Sequence, residues 1–447
     1  MRRIFYMKFN PLCIIVTLTG AYLLFRLRFF FILHPFRCLK KTCASLKKRQ
    51  TARSLVLALA GTLGVGNVFG VAVGISVGGA GSLFWMLVSS LFASVIKYSE
   101  VLLSQASMDK RGSESHGGIH NALLALGKFG GVLAVVYSSS TLLLSFSMGA
   151  ALQSSTLVSS VGQIFDTPPL LTSVILSFFV LLAVVGGAAI IERVTEIVIP
   201  VTTIIYIILC SCVIFLCYER VPSALSEVWR SAFSSESAFG GALGFLLSRS
   251  LSEGFARGLL SNEAGAGTSS MAHARGASLN PAASGLMGIV EVFFDTVLVC
   301  SLTGLAILVS VPEPRAHFGG MELVFRAVCE PLGSFSGVIL SFCVVAFAYS
   351  TVICWYFYGL ESCLKLFSGG RCVFLPLYLT FVCVGCMIPE GVLVFATDTL
   401  LLIMTALTSL VLIKSSDRIV TLSELGGVLD KRYKRGIFRR KSNKPDF

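Results

Sequence analysis

Charged residues are scarce in this chain of 447 residues, where Asp, Glu, Lys and Arg together make up 13%. Soluble globular domains carry about 25%, so the shortage argues against a soluble fold. Hydrophobic residues account for 55% of the chain, and the mean hydropathy is +0.84. Apolar runs of about 20 residues, the length that crosses a bilayer, recur along the sequence. These features predict an all-α polytopic membrane protein with no separate soluble domain.

Motifs of enzymes are also missing from the sequence. It contains no nucleophile with a matching base, no phosphate-binding loop and no zinc-ligand spacing, so we expect neither an enzyme nor an organic cofactor. Most of the 14 cysteines lie in apolar segments. Cys383 and Cys386 form a CxxC pair, but with no second Cys or His pair nearby we assign them no metal or redox role.

The chain has a formal net charge of +13, and the positions of the basic residues indicate what this charge is for. They cluster after the first apolar segment, from Arg37 to Arg53, and after Lys414, which is the positive-inside pattern of membrane proteins and not a nucleic-acid surface. The basic loop and the basic tail are therefore predicted to be cytoplasmic. An odd number of spans then places the N-terminus outside, although Arg2, Arg3 and Lys8 oppose this. The tail is expected to be mobile and to face lipid headgroups.

About eleven spans are predicted, and they define the domain organisation. Residues 1–52 would form an N-terminal transmembrane helix with a basic cytoplasmic loop. Residues 53–217 and 218–414 would form two five-helix repeats, and residues 415–447 would form the basic cytoplasmic tail. The predicted spans are 11–33, 53–79, 82–107, 132–160, 170–190, 194–217, 239–260, 283–311, 335–362, 372–389 and 391–414.

One predicted span is unusually rich in glycine. From Gly61 to Trp85 the sequence reads GTLGVGNVFGVAVGISVGGAGSLFW, and each glycine inside a helix costs about 1 kcal/mol relative to alanine. We interpret this as a membrane helix that is broken near Gly64-Val65-Gly66, beside the polar Asn67. A broken helix presents free N–H groups to an anion and free carbonyls to a cation. The alternative, close helix packing through small residues, is left open.

A second apolar segment is interrupted between Gly254 and Gly276, where it runs into Ser261-Asn262-Glu263-Ala264-Gly265-Ala266-Gly267. Two interrupted segments at corresponding places in two halves of a transporter indicate its binding site. Their spacing suggests two five-helix repeats preceded by one extra helix.

Several stretches resemble the alanine or glycine:cation symporter family, the sodium:alanine symporters, from about Pro11 to Lys414. They are Thr19–Phe30, Gly61–Met86, Glu192–Pro200, Arg257–Gly267 with Ala272–Ala274, Phe293–Thr303 and Ser350–Gly359. The resemblance implies a leucine-transporter-like fold of two inverted five-helix repeats and an extra N-terminal helix. It also implies uptake of small neutral amino acids coupled to sodium, sometimes to protons.

The sequence departs from the family pattern at three positions near the expected site. Val65 stands where a Thr is usual, Leu260 where a Phe is usual and Ser270 where a Pro is usual. The loop that begins at Ser115 also lacks the usual proline and tyrosines. These departures affect the substrate and the coupling ion that can be expected, but not the class of protein.

Candidate substrate contacts follow from the needs of a zwitterion in an apolar cavity. Backbone N–H groups near Gly64, Val65 and Gly66 would hold the carboxylate, as the resemblance also implies, while the second break and Thr351 would accept from the ammonium. Trp355 would form a pocket wall, with an interfacial anchor as the alternative. Gly149 and Gln153 would face the same cavity or only pack helices. The candidate substrate contacts are therefore Gly64, Val65, Gly66, Asn67, Gly149, Gln153, Leu260, Thr351 and Trp355.

Ionisable residues inside spans are functional candidates by default. Asn67 and Asp295 are candidate sodium contacts, with a structural role for Asp295 as the alternative. Structural or gating roles are expected for Asn262, Glu263, Gly265 and Gly267. Lys97 with Glu100, and Arg249 with Glu253, are predicted to form internal pairs from their helical spacing. The residues His116, His120, His273 and His317 are expected to be solvated.

Together these features predict a secondary transporter of the bacterial inner membrane, which imports alanine or glycine with sodium by alternating access. Its partners would be a small neutral amino acid, sodium and the lipid bilayer, with no nucleic acid and an undetermined oligomeric state. A channel is disfavoured because it needs a continuous polar path. A proton-coupled carrier of another small solute, or a sensor that binds an amino acid without transporting it, are the alternatives.

Overall fold

The computed structural model describes residues 11–108, 118–233, 249–275, 280–311 and 319–429. His116, His317, the basic residues after 430 and residues 239–248 of the predicted seventh span lie outside these ranges. Every regular element within them is helical. The predicted all-helical class is therefore confirmed for the described part of the chain.

The N-terminal region contains more helices than the sequence predicts. Helix α1 ends at Arg26, and Arg28 and Phe29 then adopt left-handed backbone conformations, with φ of 57° and 51°. The predicted single span over 11–33 is therefore interrupted, and an amphipathic helix follows within the basic loop. These helices are α1 (Pro11–Arg26), α2 (Phe30–Leu33) and α3 (Pro35–Leu46).

The first half of the remaining bundle contains the broken segment and several long helices. Its members are α4 (Arg49–Thr62), α5 (Phe69–Gly78), α6 (Gly81–Ala106), α7 (Ile119–Leu124), α8 (Gly130–Gly162), α9 (Pro169–Val185), α10 (Ala188–Leu216) and α11 (Val221–Ala232). Within α8, residues Ser145–Leu152 are π-helical. Short 3₁₀ turns occupy Val65–Asn67, between α4 and α5, and Tyr218–Arg220.

The second half begins with the other broken segment. Its members are α12 (Arg249–Asn262), α13 (Ser269–Arg275), α14 (Pro281–Ser310), α15 (Gly320–Leu332), α16 (Ser334–Leu366), α17 (Arg371–Val384), α18 (Glu390–Lys414) and α19 (Ser416–Leu425). Within α14, residues Phe293–Cys300 are π-helical, and Gly385–Met387 form a 3₁₀ turn after α17.

Six of the described helices are long and apolar enough to cross a membrane, and the bent pair of α4 and α5 makes a seventh. Helices α1 and α9, together with Arg371–Met387, are shorter apolar helices. These observations agree with an integral membrane protein of several spans. The number eleven and the inverted repeat stay predictions.

Helix α6 lies at the centre of the bundle, and 78% of its apolar window is buried. Helix α12 packs closely on it through two glycines. A Cβ added at Gly254 would lie 2.6 Å from the carbonyl oxygen of Ser82, and a Cβ added at Gly258 would lie similarly close to the Ser89 hydroxyl. These two glycines therefore serve packing between helices, the role that small residues commonly have in membranes.

Helix α19 lies where the sequence predicts the start of a mobile tail. It docks on the N-terminal part of the chain: Tyr22 and Ser416 hydroxyls are 3.0 Å apart, and the buried Tyr98 hydroxyl is 2.8 Å from that of Ser423. Arg26 also forms an ion pair with Asp417. Residues 416–425 are thus an ordered part of the bundle.

Candidate functional site

The first break lies between α4 and α5, whose axes differ by 62°. Its backbone N–H groups are capped by side chains because the helix no longer supplies their partners. The N–H of Gly64 donates to Asn67 Oδ1 at 3.1 Å, and the N–H of Val65 donates to Gln153 Oε1 at 3.3 Å. The predicted break is therefore present and lies where the glycines indicate.

The second break lies between α12 and α13. Three residues here have left-handed φ angles, Glu263 at 54°, Gly265 at 90° and Gly267 at 73°, and two of them are glycines, which adopt such angles without a steric penalty. The N–H of Gly265 donates to Glu100 Oε1 at 2.6 Å, and Tyr137 donates to the carbonyl of Ala266 at 2.7 Å.

Asn262 has two partners that fix the end of α12. Its Oδ1 accepts from the N–H of Ala264 at 3.0 Å, and its Nδ2 donates to the Thr296 hydroxyl at 3.0 Å. The side chain thus closes the helix end and connects it to α14. This arrangement agrees with a structural role for Asn262.

The two breaks are in direct contact. A Cβ added at Gly66 would lie 2.9 Å from Ser261 Cα, a distance that real Cβ atoms do not tolerate. The glycine therefore allows the two opened backbones to approach each other. Leu260 is buried next to this contact, and its Cδ2 is 3.7 Å from the position of a Cβ at Gly70.

Asp295, from the π-helical stretch of α14, joins both breaks. Asn67 Nδ2 donates to its backbone oxygen at 3.0 Å and to its Oδ1 at 2.8 Å. Its Oδ2 accepts from the Ser261 hydroxyl at 2.8 Å and the Thr296 hydroxyl at 2.7 Å. Asp295 is completely buried, so these donors replace the water that a carboxylate needs.

The oxygens around Asp295 are of the kind that hard cations prefer. Carboxylate, amide and hydroxyl oxygens suit such ions, whereas softer metals take sulfur and imidazole ligands. No group of three or more His, Cys, Asp or Glu side chains that could hold a metal ion occurs in the described residues. The oxygens of this group are therefore of the type that suits a hard cation, and the Cys300 thiol lies beside them, 3.1 Å from the Ser261 hydroxyl.

The side chains of α8 and α16 form a wall beside the first break. Trp355 is fully buried, and its Nε1 donates to Glu263 Oε1 at 3.1 Å. A Cβ added at Gly149 would overlap the Trp355 side chain. Thr351 donates to the carbonyl of Ala60 at 3.1 Å, and its hydroxyl is 2.6 Å from the position of a Cβ at Gly64.

Trp355 is therefore not at a membrane interface but in the interior of the bundle. The structure places the residues of the first break next to four other sequence-predicted residues. These are Gly149 and Gln153 on α8 and Thr351 and Trp355 on α16. Asp295 and Glu263 adjoin this region from the side of the second break.

Two expected ion pairs have different partners in the structure. Lys97 Nζ is 3.3 Å from Glu291 Oε1, while Glu100 accepts from Gly265 instead. Glu253 Oε2 is 3.3 Å from Arg257 Nε, and Arg257 Nη2 is 2.7 Å from Asp398 Oδ2. Arg249 acts on Glu253 as a further charge. Lys97 thus pairs with a residue on another helix, whereas Glu253 pairs within α12 with the residue one turn after it, and Asp398 on α18 joins that pair.

The expectation for His273 is wrong. It is 1% exposed, and its Nε2 lies 3.0 Å from Glu291 Oε2, so it belongs to the buried interior. His120 is half-buried, with Nδ1 2.7 Å from the Ser138 hydroxyl. Glu291 was missed by sequence reasoning, although an ionisable residue in the apolar run Pro281–Ser310 is a usable signal.

Comparison with known proteins decides the family. A family model described as the sodium:alanine symporter family matches residues 2–426. The chain belongs to this family. It is therefore an integral membrane transporter for amino-acid and cation symport, which agrees with the expectation that it is not an enzyme.

Two relatives of the symporter have more specific names. The sodium/alanine symporter AgcS of Methanococcus maripaludis is 29% identical over 368 residues, which cover 79% of this chain and 80% of the relative. The probable sodium/glutamine symporter GlnT of Bacillus subtilis is 29% identical over 360 residues, covering 78% and 73%.

A solved structure supports the fold. The symporter is similar to MhsT in its complex with L-phenylalanine, with a TM-score of 0.55, 14% identity and coverage of 84% of this chain and 98% of that one. MhsT is a leucine-transporter-fold protein, so the described helices follow that architecture. At this identity the likeness concerns the fold alone.

Proposed function

We propose that the symporter imports a small neutral amino acid, alanine or glycine, together with sodium by alternating access. The single observation that carries the proposal is the contact between the two helix breaks, with Asp295 bound to Asn67 on one side and to Ser261 on the other. A ligand that replaces any of these contacts acts on both broken segments at once. Such a coupling is what alternating access around a midplane site requires.

The carboxylate of the substrate binds at the first break. The N–H of Val65 donates to the neutral amide oxygen of Gln153 over 3.3 Å, which is long for this type of bond. A carboxylate is a stronger acceptor because it is charged. It therefore displaces Gln153 Oε1, with the N–H groups of Gly64, Val65 and Gly66 as its donors and Gln153 Nε2 as a further contact. The ammonium is held by carbonyls of the second break and by Thr351.

The pocket is small. Trp355 packs directly over Gly149, its ring is held by the bond to Glu263, and Leu260 is buried beside the first break. A hydrogen bond that fixes the indole leaves little freedom to enlarge the cavity. This limits the substrate to side chains of about the size of alanine. The names of AgcS and GlnT support sodium and a neutral amino acid in general.

Sodium binds near Asn67 and Asp295. Asn67 Oδ1, the Asp295 carboxylate and the hydroxyls of Ser261 and Thr296 are within one hydrogen-bonded group. An ion there neutralises a carboxylate that is otherwise held only by neutral donors. Asn262, Glu263, Gly265 and Gly267 keep the second break open, with structural or gating roles.

The orientation follows from the basic residues. The loop that contains α3 and the tail after α19 lie in the cytoplasm, and the N-terminus lies outside, in the inner membrane of a bacterium. Residues 1–52 act as the extra helix with its loop, and residues 53–217 and 218–414 act as two five-helix repeats. The basic tail follows the docked helix α19.

The test is uptake of labelled alanine and glycine into proteoliposomes, under an inward sodium gradient, a proton gradient or neither. We expect accumulation above the external concentration with sodium alone, and competition by unlabelled alanine more than by glutamine. Empty liposomes and the Asp295→Asn variant are the controls. Accumulation with a proton gradient alone would show a proton-coupled carrier, and binding without accumulation would show a sensor. Equilibration without a gradient requirement would contradict the proposal in favour of a channel.

A further inference from the structure

A second group of ionisable side chains lies next to the substrate region and is fully enclosed. Lys97 and Glu100 come from α6, Glu263 from the second break, His273 from α13 and Glu291 from α14. The lysine and the three glutamates are 0% exposed, and His273 is 1% exposed. The group joins three parts of the bundle without contact with solvent.

The three carboxylates differ in how well they are satisfied. Glu291 is paired through both oxygens, with Lys97 at 3.3 Å and with His273 at 3.0 Å. Glu263 accepts from Trp355 through Oε1 and from Thr268 through Oε2. Glu100 accepts from the N–H of Gly265 through Oε1, whereas its buried Oε2 has no hydrogen-bond partner among the described residues.

The charges of the group do not balance. Three carboxylates interact with one ammonium, that of Lys97, and Lys97 is in direct contact with Glu291 alone. Even a positively charged His273 would leave one negative charge over. An uncompensated buried charge costs several kcal/mol or more, so a further positive charge bound within the group would be stabilised.

We propose that Glu100 is a proton-binding site, separate from the substrate and sodium site, in which the proton resides on Oε2. Oε2 is the buried carboxylate oxygen of this group that lacks both a donor and an ion-pair partner. A proton fits there because the buried ammonium of Lys97, which interacts electrostatically with this carboxylate, repels a metal cation.

The surroundings of Glu100 come from several elements. Lys97 lies one turn before it on α6, Glu291 faces it from α14 and Tyr137 from α8, and all three interact with it electrostatically. Glu263, from the second break, interacts electrostatically with Lys97 and Glu291, and His273, from α13, is in contact with Glu291. These are the ionisable groups that decide whether the proton stays on Glu100.

The site is connected to the moving part of the transporter through one bond. Glu100 Oε1 caps the N–H of Gly265, which has a φ of 90° at the second break. A protonated carboxyl accepts this bond more weakly than a carboxylate does. Loss of the proton therefore tightens the break and gain of the proton loosens it. The proposal concerns protonation, and it holds whichever amino acid and coupling ion the transporter uses.

The test is infrared spectroscopy of the purified protein in detergent, without substrate, in H₂O and in D₂O. Exposed Asp and Glu are ionised at about pH 7.5 because their pKa values are about 4. We expect the wild-type protein to show the C=O band of a protonated carboxyl at that pH, shifted by D₂O. The Glu100→Gln variant should lose the absorption of one such group.

Controls separate this assignment from other carboxyls. Glu322→Gln, on the half-exposed face of α15, should leave the band unchanged. Absence of the band from the wild-type protein overturns the proposal without any variant, so a misfolded Glu100→Gln does not leave it untested. Loss of the absorption in Glu263→Gln but not in Glu100→Gln also overturns it. Disappearance of the Glu100-dependent part of the band when sodium replaces choline, with its return on reversal, would show that this oxygen binds sodium and not a proton.

Discussion

Asn67 holds Asp295 by two hydrogen bonds from one nitrogen, at 3.0 Å to the backbone oxygen and at 2.8 Å to Oδ1. The same asparagine caps the first break through its Oδ1, which accepts from the N–H of Gly64. One side chain thus fixes the opened backbone and connects it to α14. Any rearrangement of the first break must change the surroundings of Asp295.

Replacement of Asn67 tests this connection. Asn67→Ala removes the donor to Asp295 and the acceptor for Gly64. Hydrogen bonds to charged groups contribute about 1.5–3 kcal/mol, and about 1.4 kcal/mol corresponds to a factor of ten. We expect sodium-driven uptake to fall by about ten- to a hundredfold at unchanged expression. Thr399→Ala is the control, because the exposed hydroxyl of Thr399 donates to the Phe395 carbonyl of its own helix. Near wild-type uptake of Asn67→Ala would remove Asn67 from the site.

Gly149 tests the pocket wall. A methyl group at this position overlaps Trp355, whose Cγ would be 2.7 Å away, so the indole must shift from its place in the pocket wall. We expect Gly149→Ala to reduce the affinity for alanine by about tenfold or more, since overpacking costs about 1–3 kcal/mol. Glycine uptake should be reduced less. Gly131→Ala, near the start of the same helix with nothing within 4 Å, should bind both amino acids normally.

Arg257 tests the buried ion group of α12 and α18. Its side chain is 3% exposed and lies between Glu253 and Asp398. Arg257→Gln leaves two carboxylates without their cation, and loss of one partner of a buried pair costs about 3–5 kcal/mol. We expect a large loss of thermal stability in detergent. Size-exclusion chromatography of heated samples measures this loss. The double variant Arg257→Gln/Asp398→Asn should be more stable than Arg257→Gln, because it has one buried carboxylate fewer without a cation. If the stability losses of the two substitutions simply add, Arg257 and Asp398 do not form a coupled pair.

Two contacts of α19 should differ in their effect on stability. Tyr98→Phe removes a buried hydroxyl that is paired with Ser423, and we expect a loss of about 0.5–1.5 kcal/mol. Asp417→Asn removes an ion pair in which the aspartate is 93% exposed, and such pairs contribute about 0–1 kcal/mol. Thermal unfolding of both variants in the same detergent checks the order. A larger effect of Asp417→Asn would show that the exposed pair holds α19 in place.

The two breaks could be predicted from the sequence because their cause is local. Glycines and polar residues inside an apolar run make a continuous membrane helix unfavourable, and Gly64, Gly66, Gly265 and Gly267 are visible in the chain itself. The family motifs could also be recognised, because they consist of short contiguous stretches. The family is confirmed, while the roles of the individual site residues stay predictions.

The partners of the buried charges could not be predicted in the same way. Lys97 and Glu291 are far apart in the sequence, and only the packing of α6 against α14 makes them neighbours. Spacing along one helix favoured Glu100 instead, which the second break uses as a cap for Gly265. The burial of His273 and the bond between Trp355 and Glu263 likewise depend on tertiary contacts that no local pattern shows.

The π-helical stretches of α8 and α14 have a consequence for how such a site can arise. Each contains one of the residues discussed above, Gly149 in Ser145–Leu152 and Asp295 in Phe293–Cys300. A helix absorbs an inserted residue by widening one turn, whereas an insertion into a regular helix rotates everything beyond it by about 100°. One additional codon is thus enough to bring a new side chain to the interior while both ends of the helix keep their neighbours. Removal of one residue from either stretch should accordingly return it to a regular helix with the bundle intact.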